Sequence, residues 1–129
     1  MKVLDSSFLA DFLRGYEHAK QYRLDNQAEA LVLPAIGWYE LYHGAVTLGR
    51  DPAELERTLP WVERLEYAPE HALEGARIRH ELEREGNRIQ HPDMMIAGVA
   101  RSLDVPVVTS DSGFERVDGL EVENPRELY

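Results

Sequence analysis

The chain has 129 residues, a net charge of −10 and 43% hydrophobic residues, which bound it to one domain with a single buried core. It contains no cysteine, so disulfides and thiolate metal sites are excluded, and no apolar run reaches the ~18 residues that a membrane helix needs. The acidic balance argues against a broad surface for coating nucleic acid, because polyanion binding draws on Lys and Arg.

No internal repeat, low-complexity tract or Pro/Gly/Ser linker interrupts the chain. Apolar runs alternate with helical patterns, as in a parallel sheet covered by helices. Val3-Leu4 is a short strand ending at Asp5, and Ser6 is placed to N-cap a helix carrying Phe8, Leu9, Phe12 and Leu13. An Asp inside this first apolar run breaks the secretory-signal pattern, and a soluble cytoplasmic protein is the simplest reading. A second helix is predicted over Tyr16 to Asn26. Leu31-Val32-Leu33, closed by Pro34, reads as a strand buried on both faces. Ala35 to Leu48 has helical spacing, with Gly49 as its stop signal. Asp51 can cap a further helix to about Leu59. Leu65 and Tyr67 alternate with Arg64 and Glu66, the pattern of an exposed edge strand. Two helices follow, Glu70 to Gly86 and Pro92 to Leu103. Val105 to Thr109 reads as a strand with proline near its start, and Leu120 and Val122 alternate with Glu121 and Glu123 as a second edge.

In an open parallel sheet, ligands bind beyond the carboxyl ends of the strands. Asp5 stands at the end of the first strand, and Asp111 lies two residues past Thr109, beyond a later one. Asp93 falls in the first turn of its helix, on the side carrying Ile96, Ala97 and Ala100. Glu40 borders the buried face of the helix after the second strand, between Ile36 and Gly44. Close packing against another backbone is a reason for a glycine at position 44, since it costs about 1 kcal/mol against alanine inside a helix. Singly, each acid reads as a strand-end cap, an exposed helix glutamate, a first-turn acid or a turn residue. Together at one rim they would repel, and at least one would be protonated unless a divalent cation joined them. An all-oxygen donor set suits Mg²⁺ or Mn²⁺, which keep several waters and bind phosphates.

These residues resemble the PIN-domain family, most closely the VapC-type toxins of toxin–antitoxin pairs. The likeness runs from Val3-Leu4-Asp5-Ser6-Ser7 through Glu40-Leu41 and Gly44 to Pro92-Asp93-Met94-Met95-Ile96-Ala97. It closes with Val108-Thr109-Ser110-Asp111-Ser112-Gly113-Phe114 and Gly119-Leu120-Glu121-Val122. The resemblance implies a three-layer α/β/α fold with a parallel sheet of four or five strands. It implies a Mg²⁺- or Mn²⁺-dependent endoribonuclease, a homodimer, and a small antitoxin protein that blocks the site. Asp5, Glu40, Asp93 and Asp111 become metal ligands and catalytic residues, with Ser7 or Thr109 supporting them through hydrogen bonds. RNA, transfer RNA among the family's substrates, would be hydrolysed by in-line attack of water, leaving a 5′-phosphate and a 3′-hydroxyl. Arg14, Arg77, Arg79 and Arg88 are candidates for phosphate contact, each weighed against a solvated helix face with Glu partners.

Other constellations are weaker. Glu40-x-x-His43 has di-iron bundle spacing but occurs once, where such sites need two copies. His43 and His91 stand near the expected rim without a ligand pattern, His91 as a cap. Trp38, Tyr39 and Tyr42 form an aromatic cluster that suits core packing and an interface about equally. No Gly-rich phosphate loop and no nucleophile elbow is present. A receiver domain would need paired acids after the first strand and a late Lys; here Asp5 stands alone and no Lys follows Lys20. A dehalogenase-type phosphatase would need Asp-x-Asp where Asp5-Ser6-Ser7 stands. A catalytically silent interaction module is disfavoured by the intact acids.

The basic residues are almost all Arg, with Lys only at Lys2 and Lys20. Adaptation to a salty cytoplasm would account for a carboxylate-rich, Lys-poor surface. That reading expects unfolding in dilute buffer reversed by molar salt, followed by circular dichroism; full stability without salt contradicts it.

Overall fold

The first apolar run of the chain occupies the middle of the sheet. A computed structural model describes residues 1–129. In it β1 (Lys2–Leu4) pairs in parallel with β2 (Leu31–Pro34) on one side and β4 (Val107–Val108) on the other. The edges are β3 (Glu63–Leu65), against β2, and β5 (Val122–Glu123), against β4. All pairings are parallel, and the five strands lie in the order β3-β2-β1-β4-β5. The central strands are apolar apart from Lys2 at the start of β1, and the margins carry Glu63, Arg64 and Glu123.

Side chains alternate across the sheet and divide the core in two. Val3, Val32 and Val107 face a cluster with Ile78, Ile96, Val99 and Phe114, beneath α5 (Pro69–Arg84) and α6 (His91–Leu103). Leu4, Leu31, Leu33 and Val108 face the opposite cluster. That second cluster is roofed by α1 (Ser6–Leu13), α2 (Glu17–Asp25), α3 (Ala35–Thr47) and α4 (Pro52–Arg57). The result is the expected three-layer α/β/α arrangement. No helix is long and apolar enough to cross a membrane.

Several local expectations are corrected. Asp5, not Ser6, stands at the N-cap of α1, with no side-chain capping bond; Ser6 is the first helical residue. The third strand pairs through Glu63–Leu65, and Tyr67 leaves the sheet to sit near His71 of α5. β4 is shorter than Val105 to Thr109, because the Val105 amide turns back to the Ala100 carbonyl at the end of α6. A short helix, α7 (Pro125–Leu128), was not anticipated; Asn124 caps it by accepting from the Arg126 amide.

Glycine placement also differs. A Cβ on Gly44 would meet nothing within 4 Å, so no backbone packs against it. The close approach lies instead where α5 crosses α6: a Cβ on Gly98 would lie 2.5 Å from the Gly75 nitrogen and 2.7 Å from its Cα. Both neighbouring atoms are backbone and cannot rotate away. Gly98→Ala is therefore expected to destabilise the protein by roughly 1–3 kcal/mol through overpacking. Gly44→Ala should be neutral or stabilise by up to about 1 kcal/mol, from helix propensity alone. Denaturant midpoints of the two variants check the contrast; equal effects would contradict this packing.

Candidate active site

The sheet order reverses between β1 and β4, since the chain runs outward from β1 through β2 to β3 and then crosses to start β4. Such a switch point opens a crevice beyond the carboxyl ends of the two strands. The register Leu4↔Val108 sets Asp5 level with Thr109, and the Asp5 amide donates to the Val108 carbonyl at 2.9 Å. Asp111 follows on the loop after β4. Asp93 enters from the first turn of α6, and Glu40 from the middle of α3. All four acids line one cleft of about 610 Å³, the convergence expected from the strand ends.

Asp5 is 3% exposed. Its Oδ2 accepts from Ser7 Oγ at 2.6 Å and from Thr109 Oγ1 at 2.9 Å. The Thr109 hydroxyl also accepts from the Asp111 amide at 3.0 Å, and the Ser7 hydroxyl accepts from the Ser110 amide at 3.0 Å. Both residues singled out as supports thus bond the first acid directly. The other oxygen of Asp5, Oδ1, is buried without any hydrogen-bond partner. Ser6, overlooked as a mere cap, donates to Glu40 Oε1 at 3.0 Å.

The acids feel one another. Asp93 is pushed up to about 7 by burial first, then by the charges of Asp5, Asp111 and Glu40, and Asp111 is near enough to share a proton with it. Burial raises Glu40, helped by the Asp5 charge and opposed by the Ser6 hydroxyl. Burial also raises Asp5, against the hydroxyls of Ser7 and Thr109 and the nearby backbone amides of Ser7 and Ser6. No three of these carboxylates are drawn in tightly enough to close on one ion as they stand. Mg²⁺ keeps several of its waters and also binds phosphate, so the acids need not all touch the ion directly. An all-oxygen donor set with an orphaned buried carboxylate oxygen fits such a cation.

Of the arginines considered, only Arg14 lines the cleft, joined by Arg50, which no motif had marked. Arg77 and Arg79 pair with Glu74 and Glu83 along α5, and the Arg88 carbonyl receives Arg116. None of the three lines the cleft. The aromatic cluster is also elsewhere. Trp38 is buried in the core, yet with Tyr39, Tyr42 and His43 it also lines a separate groove of about 790 Å³. His91 is the exposed first residue of α6, after Gln90 at the cap. Asp11 was missed altogether: it is 1% exposed and bonded to residues far along the chain.

Comparison with known proteins gives one consistent result. Residues 2–120 match the PIN domain family. The chain is similar to a tRNA(fMet)-specific endonuclease VapC of Salmonella typhimurium, 32% identical over 112 residues that cover 84% of each protein. It is similar to Ribonuclease VapC2 of Haemophilus influenzae, 34% identical over 106 residues covering 79% of this chain and 80% of that one. The fold superposes on the crystal structure of DNA-bound VapBC from Salmonella typhimurium with a TM-score of 0.83 and 29% identity, covering 96% of this chain and 97% of that one.

The raised acids carry a sign for stability. Asp93 ionises near its ordinary value of 3.8 when unfolded and at about 7 when folded. Between those values the folded chain holds more protons, so its stability falls as pH rises. Asp11, held at about 2, acts in the opposite direction, but only below pH ~4. The metal-free protein is therefore expected to melt several degrees lower at pH 8 than at pH 5, and Asp93→Asn should remove much of that slope. A melting temperature that rises over this range contradicts the electrostatics described.

Proposed function

This chain belongs to the PIN-domain family, and from that membership and its converging acids we propose that it is a metal-dependent endoribonuclease, the toxin of a toxin–antitoxin pair. The observation that carries the reading is the cleft itself: four carboxylates from four separate segments, one with a buried oxygen that nothing in the protein satisfies. In this reading Asp5, Glu40, Asp93 and Asp111 hold Mg²⁺ or Mn²⁺. The bound ion lowers the pKa of water and neutralises charge on the phosphodiester.

The protein's own groups do the positioning. Ser7 and Thr109 fix one oxygen of Asp5 and leave Oδ1 free for a ligand. Ser6 holds Glu40 Oε1, which sets the orientation of a side chain on a different helix. Arg14 and Arg50 on the cleft wall supply local cations for phosphates, a need imposed by an overall charge of −10. Leu13, Leu41 and Leu48 give the same cleft an apolar wall on which riboses and bases can rest. Relatives named as ribonucleases, one of them specific for a transfer RNA, support RNA as the substrate. Structural neighbours solved as VapBC complexes support a small antitoxin protein as the partner.

The test uses the purified, partner-free protein and total RNA. Cleavage with Mn²⁺ and none with EDTA is expected. Asp5→Asn should lower cleavage by at least ~100-fold. It removes a buried charge while leaving an oxygen for Ser7 and Thr109, so its melting temperature should match or exceed that of the wild type. Undiminished, metal-dependent cleavage by Asp5→Asn would remove Asp5 from the chemistry. A wild-type protein inert on RNA with its acids intact would favour the silent interaction module.

A further inference from the structure

Asp11 is a carboxylate outside the cleft, on α1, and it is almost completely buried. Burying a charge is costly unless it is fully paired. Here four hydrogen bonds converge on it. Arg126 of α7 donates from Nη2 to Oδ1 at 2.8 Å and from Nε to Oδ2 at 2.9 Å. Ser110 Oγ donates to Oδ2 at 2.7 Å, and His18 Nε2 lies 2.9 Å from the same oxygen. Arg14 stands farther off, at 4.0 Å. Burial pushes the Asp11 carboxyl up, but its partners Arg126, Ser110 and His18 outweigh that and hold it at about 2.

The partners are informative. Ser110 sits between Thr109, which bonds Asp5, and Asp111. Its hydroxyl is held by Asp11 and its amide by Ser7, so the loop carrying Asp111 is tied down on two sides. Arg126 comes from the last helix of the chain, 115 residues from Asp11, and its side chain is half exposed. We propose that Asp11 and Arg126 form a latch that positions the Asp111 loop, so that docking of the C-terminal helix governs how tightly the cleft holds its cation. Asp11 and Arg126 are positioning residues in this scheme. They act through Ser110 and touch neither cation nor RNA. The inference rests on the reading of the cleft as a metal site.

Two variants spare the buried acid: Arg126→Ala, at a half-exposed side chain, and Ser110→Ala, which deletes only the hydroxyl. Amide hydrogen exchange of the metal-free proteins reads the latch itself. Exchange at Ser110 and Asp111 should rise at least ~10-fold in both variants, with α5 and α6 unchanged. Titration with Mn²⁺ alone reads the consequence. Its dissociation constant should rise roughly 10-fold or more, the usual effect of losing an outer partner of a metal site. In RNA cleavage, kcat should fall more than KM changes.

Wild-type exchange at Ser110 and Asp111 in both variants overturns the latch. Faster exchange with unchanged Mn²⁺ affinity also overturns it, because the cluster would then serve only to stabilise the fold. A wild-type protein that takes up no Mn²⁺ counts against the nuclease reading, while the exchange rates still decide whether Asp11 and Arg126 hold the loop.

Discussion

Burial of carboxylates beside one another in a single cleft is the constraint that the surrounding structure answers. Asp93 feels it most, as burial and three neighbouring charges move its ionisation to about 7. Hydroxyls from Ser6, Ser7 and Thr109 offset part of the strain by donating to Glu40 and Asp5. They leave Asp5 Oδ1 with no partner, and an unsatisfied buried acceptor is the group a cation would stabilise most. A site that is unfavourable when empty and relieved by a cation couples stability to binding.

The topology makes the convergence possible. Parallel strands place their carboxyl ends on one rim, and the reversal between β1 and β4 opens that rim. Two acids follow the strands directly, while α3 and α6 deliver the other two from the layers on either side. The Gly75–Gly98 crossing brings α6 close to α5, so the depth at which Asp93 enters depends on a glycine of its own helix and one on α5. Charge elsewhere is largely self-contained. Arg101 binds Glu74 and Glu81, Arg126 binds Asp11, and Arg64 binds Glu56, so these cations are already engaged within the protein.

What the sequence revealed, and what it hid, divides along the range of the interactions. Which strands lie at the centre and which at the margins followed from the apolar Leu31-Val32-Leu33 against the alternation of Arg64 and Glu66 with Leu65, and of Glu121 and Glu123 with Leu120 and Val122, because burial on both faces leaves an apolar run. The four acids were legible because each stands at a strand end or a helix turn whose position the local pattern fixes. Ser7 and Thr109 came instead from the family resemblance, since no local spacing marks a supporting hydroxyl. Asp11 was not legible, since its partners Ser110 and Arg126 lie 99 and 115 residues away and no local spacing announces them. Arg50 follows a helix stop and looked like any loop cation. Gly44 misled because a helix glycine suggests crowding, whereas it borders the open cleft. β4 was overextended because Val105 is apolar yet donates its amide to the Ala100 carbonyl at the end of α6, a competition that hydrophobicity alone does not decide.

In the proposed reading Asp5, Glu40, Asp93 and Asp111 share one divalent cation site. A crystal of the protein grown with Mn²⁺, with anomalous diffraction measured near the manganese edge, addresses it directly. A strong anomalous peak is expected in the cleft, within bonding distance of Asp5 and at least one other of the four acids. Manganese bound only at other surface carboxylates, with the cleft acids still spread apart, would contradict it.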